Sequence, residues 1–187
     1  MNLSPQKQEI LEIMLLSDKP MTAVELASET KKQAKPTMGY ILGLIKAGFV
    51  QKAQKGSYQI TEAGKGALGI PETTKETAEA ILAYAPHDQA FNFYIDVDKP
   101  LNLHAHTLRD FANKIDKADL ASVEFHVKRG DFETWFKGIG DEELAKKTAL
   151  LKQKQPLGEN LRRQLRELVE QRYLELLEIS GQPLPTE

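Results

Sequence analysis

The stretch PTMGYILGLIKAGFVQKAQKGSYQI, residues 36–60, decides how the first third of the chain is read. Pro36 suits the first position of a helix, where a backbone N–H has no intrahelical partner to lose. Met38, Tyr40, Ile41, Leu44 and Ile45 then recur at helical spacing until Gly48 stops the run. Residues 49–53 and 58–60 read as two short strands joined at Lys55-Gly56-Ser57, a hairpin with a small basic tip.

Upstream, Ser4 followed by Pro5 is a helix start. Ile10, Leu11, Ile13, Met14 and Leu15 supply an apolar face, which Asp18-Lys19-Pro20 ends. Thr22 with Glu25 three residues on makes a capping box for a second helix through Ala23, Val24, Leu26 and Ala27, ending near Thr30. Downstream, Thr61 caps a fourth, Gly-punctuated helix. The expected order is three helices, a strand, a tight basic hairpin and a strand.

That ordered set, with Leu44-Ile45-Lys46-Ala47-Gly48-Phe49-Val50 leading into the hairpin, resembles the winged helix-turn-helix regulators common in bacteria and archaea. Their third helix ends in a Leu-x-x-x-Gly-Leu/Phe-Val segment. The resemblance covers about a third of the chain. It implies that the third helix enters the major groove of double-stranded DNA while the wing contacts the flanking backbone. By position, the groove face includes Lys35, Thr37, Met38, Gly39, Leu42 and Lys46, with Lys31 and Lys32 before the helix and Lys52 and Lys55 around the wing.

Base readout in the major groove relies on Arg, Lys, Asn or Gln, whereas this face offers Met, Gly and Leu, and residues 1–70 contain no Arg. The expected chemistry is therefore lysine to phosphate, which positions DNA without reading it. The alternative is a winged helix used as a protein-interaction scaffold, with Met38 and Leu42 buried by a partner.

The charge distribution agrees with a division near Pro71. Residues 1–70 carry nine Lys and six acidic side chains, a net of +3, while the remainder carries 16 basic and 21 acidic, a net of −5. Such asymmetry suggests two domains, 1–70 and 71–187, that face different partners. The absence of cysteine excludes disulfides, Cys-based zinc sites and thiol nucleophiles, and fits a reducing cytoplasm. No segment has the composition of a secretion signal or a membrane span, so a cytoplasmic protein is expected. Nucleophile elbows, phosphate loops and His-Glu-x-x-His motifs are missing, so neither catalysis nor a cofactor is expected.

Beyond the Pro71-Glu72-Thr73-Thr74 boundary the expectation is an α+β chain. A helix from Thr77 to Tyr84 is followed by a strand over 90–97, against which Leu101, Leu103 and Ala105 pair, and then by mostly helix. Thr107 and Asp119 cap two helices. Gly130 supplies a left-handed stop, and Asp131 is expected to cap the next helix, with Phe132, Trp135 and Phe136 as its apolar face. Residues 122–136 (SVEFHVKRGDFETWF), followed by GDEELA at 140–145, resemble a small prokaryotic domain family of uncharacterised function over roughly residues 91–177. The resemblance implies no activity.

Within it, Glu124, His126, Arg129 and Asp131 are expected to form one network at the helix junction, or to hold a ligand. The Arg-Gly-Asp tripeptide is expected to be a coincidence rather than an adhesion motif. His104 and His106, two apart on a strand, point the same way, and Asp96, Asp98 or His126 would have to converge on them to make a metal site; none is expected. Residues 158–180 form a long amphipathic helix whose stripe of Leu161, Leu165, Leu168, Val169, Tyr173, Leu176 and Leu177 either packs within its own domain or meets a second copy in a homodimer.

Overall fold

Helix α1 (Pro5–Ser17) buries Ile10, Leu11, Met14 and Leu15. The structure, a computed structural model, describes residues 3–17 and 19–185. Asp18, expected to help end α1, lies outside them. The chain divides into two units, residues 1–72 and 73–187.

In the first unit, α1 is followed by β1 (Met21–Thr22) and α2 (Ala23–Glu29). The capping box is present: Thr22 Oγ1 accepts the Glu25 N–H at 3.3 Å, and the Glu25 carboxylate accepts the Thr22 N–H at 2.7 Å. Helix α3 (Ala34–Lys46) begins two residues before Pro36. Pro36 falls within the first turn, where the N–H it lacks would have had no partner in the helix. Strands β2 (Val50–Lys52) and β3 (Ser57–Ile60) flank a 3₁₀ turn over 54–56, in which Lys55 takes φ +56°. Helix α4 (Glu62–Ala67) follows, capped by Thr61.

The three strands form an antiparallel sheet in the order β1-β3-β2, with Met21 and Lys52 on either side of Tyr58. Strand β1 is not foreseen from sequence, since two residues have no periodicity to detect. Ile10, Leu11 and Met14 of α1, Leu26 of α2, Ile41 and Leu44 of α3, Val50 and Tyr58 meet in one core. Burying each aliphatic side chain is worth about 1.5–3 kcal/mol, so this cluster is what holds three short helices to a small sheet.

The second unit begins with α5 (Lys75–Leu82), capped by Thr74 rather than starting at Thr77. A hairpin of β4 (Phe91–Asp96) and β5 (Lys99–Ala105) precedes α6 (Leu108–Ile115), α7 (Leu120–Arg129), α8 (Asp131–Gly138), α9 (Glu142–Gln153) and α10 (Gly158–Ser180). The fold class is α+β, mostly helical, with small antiparallel sheets and a long C-terminal helix. Gly130 separates α7 from α8 at φ +78°, a conformation open to glycine at little cost. Asp131 does not cap α8 as expected. It is the first residue of that helix, and its carboxylate turns back to α7.

Phe91, Phe93, Phe111, Phe132 and Phe136 form a buried aromatic core, with Trp135 at its edge. Helix α10 buries Leu161, Leu165, Leu168, Val169, Leu176 and Leu177, and packs on α5, α6, α7 and α9. The stripe is consumed inside its own unit, so the reading of it as a dimer face is corrected. Among the described residues no helix is long and apolar enough to cross a membrane.

Candidate functional site

The outward face of α3 is set by which side the core takes. Thr37, Ile41 and Leu44 are buried. Lys35, Gly39, Leu42 and Lys46, at i, i+4, i+7 and i+11, form the exposed stripe. It is lysine at both ends and nearly bare in the middle: a Cβ added at Gly39 would meet nothing within 4 Å, and Leu42 is 54 % exposed.

Two expected contact residues are displaced from this stripe. Thr37 is sealed, with its hydroxyl donating to the Gln33 carbonyl at 2.9 Å. Met38 is half-buried against the core, and its sulfur accepts the Tyr58 hydroxyl at 3.8 Å. Thr37 stands four residues before Ile41 and seven before Leu44, on the buried face of α3, and Met38 borders that face.

Lys31 sits at φ +54° in the turn after α2, Lys52 is exposed on β2, and Lys55 is at the tip of the β2–β3 turn. Among the described residues Lys31, Lys35, Lys46, Lys52 and Lys55 make no ion pair, whereas Lys32 is tied to Glu9 of α1. Of the six lysines expected to meet DNA, five are thus free to bind an anion and one is already engaged.

In the second unit His126, 3 % exposed, joins three elements. Its Nε2 accepts the Tyr94 backbone N–H at 2.8 Å, so the neutral ring carries its proton on Nδ1, which donates to Asp131 Oδ2 at 2.8 Å. The Tyr94 amide is available because the β4–β5 ladder is irregular on both sides of it, where Tyr94 faces Pro100. Burial pushes the His126 pKa down, outweighing the pull of Asp131 in the other direction. With both nitrogens engaged, the ring is a strut between β4, α7 and α8. It has no lone pair left for proton transfer.

Arg129 Nε donates to Asp131 at 3.1 Å, and its guanidinium lies 5.0 Å over the Phe125 ring. Glu124 does not join this expected network. Its carboxylate accepts the Gly158 N–H at 3.0 Å and caps the start of α10. Beside the strut lies a cleft of about 700 Å³ lined by Phe91, Tyr94, Phe125 and Trp135. His106 Nδ1 bonds the Ala85 carbonyl at 2.9 Å and His104 Nδ1 bonds Asn92. Among the described residues, no group of three or more His, Asp or Glu side chains converges as a metal site.

Sequence reasoning misses an ionic cluster altogether. Arg172, 1 % exposed, donates through Nε to both oxygens of Asp141 at 3.0 and 3.1 Å, through Nη1 to Glu143 and Glu175 at 3.1 and 2.8 Å, and through Nη2 to Thr73 at 2.9 Å. Lys147 pairs with Glu143 at 2.9 Å. Burial opposes the arginine's charge, but Asp141, Glu143 and Glu175 outweigh it and hold the guanidinium protonated. The signal was present: residue 172 falls on the buried stripe of α10, three residues after Val169 and four before Leu176, at a place otherwise aliphatic. The cluster ties α9, α10 and the start of the second unit together, with Arg172, Asp141, Glu143 and Lys147 sealed and Thr73 and Glu175 partly exposed at its edge.

Comparison with family models, curated proteins and solved structures finds no significant match to this chain.

Proposed function

We propose that the first unit is a winged helix-turn-helix that binds double-stranded DNA through lysine–phosphate contacts, making the protein a DNA-binding regulator. The observation that carries the reading is the order α1-β1-α2-α3 followed by a sheet ordered β1-β3-β2, with the outer face of α3 bare and lysine-flanked. In such a domain α3 enters the major groove and the β2–β3 turn reaches the neighbouring backbone. Lys35 and Lys46 bracket the groove face, Lys31 precedes it, and Lys52 and Lys55 belong to the wing. Gly39 permits close approach of the helix backbone. Leu42 offers an apolar contact of the kind that reads a thymine methyl.

With five unpaired lysines around this face and no arginine in the unit, the affinity is mostly electrostatic. Five phosphate contacts give a log–log salt slope of roughly −4.5. Fluorescence anisotropy with random and genomic duplexes across a salt series tests this. Salt-sensitive binding with preference for particular genomic fragments supports the regulator. No binding at low salt overturns it and moves the exposed Leu42 face to the protein-scaffold reading.

A further inference from the structure

The cleft of about 700 Å³ in the second unit is not filled by the His126 strut beside it. Four aromatic rings line it, those of Phe91, Tyr94, Phe125 and Trp135. Ring faces carry negative partial charge and attract cations. The ionisable lining has the same bias, with carboxylates at Asp88, Asp96, Asp98 and Asp131 against one basic side chain, Arg129.

These carboxylates are not equally available. Asp131 is held by His126 and Arg129, and Asp96 is paired with Lys99 at 3.1 Å. Asp88 and Asp98 are exposed and, among the described residues, make no ion pair. Arg129 shows how the cleft holds positive charge, since its guanidinium rests on the Phe125 face with Asp131 at its edge. An anionic ligand would meet an excess of carboxylates and an arginine already committed.

We propose that this cleft binds a small organic cation, an amine or quaternary ammonium on an apolar or aromatic body. The rings enclose the body, and Asp88 and Asp98 balance the charge that the strut leaves unanswered. The inference is independent of DNA binding, because every residue it uses belongs to the second unit.

Trp135 is the chain's single tryptophan and lines the cleft, so its emission reports occupancy directly. The full-length protein is titrated at constant ionic strength with benzyltrimethylammonium, phenethylammonium and spermidine, and with benzoate and benzyl alcohol as anionic and neutral counterparts. The expected result is a saturable change with at least one cation, at an affinity at least tenfold above benzoate and benzyl alcohol. The double variant Asp88→Asn, Asp98→Asn should weaken that cation about tenfold with an unchanged melting temperature. Asn tolerates the φ of +59° at position 98, so the turn is kept. No saturable response to any cation, equal affinity for all probes, preference for benzoate, or a double variant that binds as the parent does would each overturn the proposal.

Discussion

Arg172 and Asp141 meet with both side chains sealed from solvent, the guanidinium Nε lying 3.0 and 3.1 Å from the two carboxylate oxygens. Asp141 also accepts the Leu144 N–H at 3.0 Å and so caps α9. One carboxylate thereby starts a helix and anchors the middle of another.

Breaking that pair strands buried charge. Arg172→Met should cost about 3–5 kcal/mol, because Asp141 stays buried without its ionic partner while Glu143 keeps Lys147. Arg172→Lys should cost less, since one ammonium retains part of the charge but not the forked geometry. Urea unfolding followed by Trp135 emission measures both. A loss under about 1 kcal/mol for Arg172→Met would mean that water reaches the cluster.

His126 makes stability fall in acid. Its folded pKa lies below the ordinary 6.5, so between the two values the unfolded chain binds a proton that the fold does not. The contribution is complete above pH 6.5 and is lost as pH falls from there toward the depressed value, with a slope of at most about 1.4 kcal/mol per pH unit. His126→Gln keeps an acceptor for Tyr94 and a donor for Asp131 but cannot titrate. Denaturation midpoints of wild type and variant should converge as pH falls below 6.5; parallel curves would show that His126 does not set the slope.

Two glycines of the first unit predict opposite effects. A Cβ at Gly64 would lie 2.2 Å from the Phe49 carbonyl oxygen and 2.8 Å from Ile60 Cγ1, so Gly64→Ala should destabilise by about 1–3 kcal/mol. Gly39 is helical, exposed and unobstructed, so Gly39→Ala should stabilise by about 0.5–1 kcal/mol. Thermal melts by circular dichroism separate the two. Under the DNA-binding proposal Gly39→Ala should also weaken DNA binding despite the added stability, a combination that a purely structural role would not produce.

The lysines should differ in weight. Lys35→Gln and Lys46→Gln should each weaken DNA binding and reduce the magnitude of the salt slope by about 1. Lys32→Gln should do less, because Lys32 is tied to Glu9 in the free protein. Equal losses at all three positions in a salt-dependent anisotropy series would show that this ion pair opens on binding.

The sequence alone determined what local rules govern. Thr22 and Glu25 cap α2, Thr61 and Thr107 cap their helices, Gly130 stops α7, and the stripe at 161–177 is buried on α10. Each depends on residues within a few positions of one another, where spacing and backbone chemistry suffice. Only the tertiary structure decided which partners distant residues take. It buried Thr37 and half-buried Met38, sent Glu124 to the start of α10 instead of His126, and spent the α10 stripe within its own unit. It also gathered Thr73, Asp141, Glu143 and Arg172 around one charge, and Phe91, Tyr94 and Trp135 around one cleft. These pairings span from tens of residues to about a hundred, and their geometry follows from how helices pack, which no local pattern encodes.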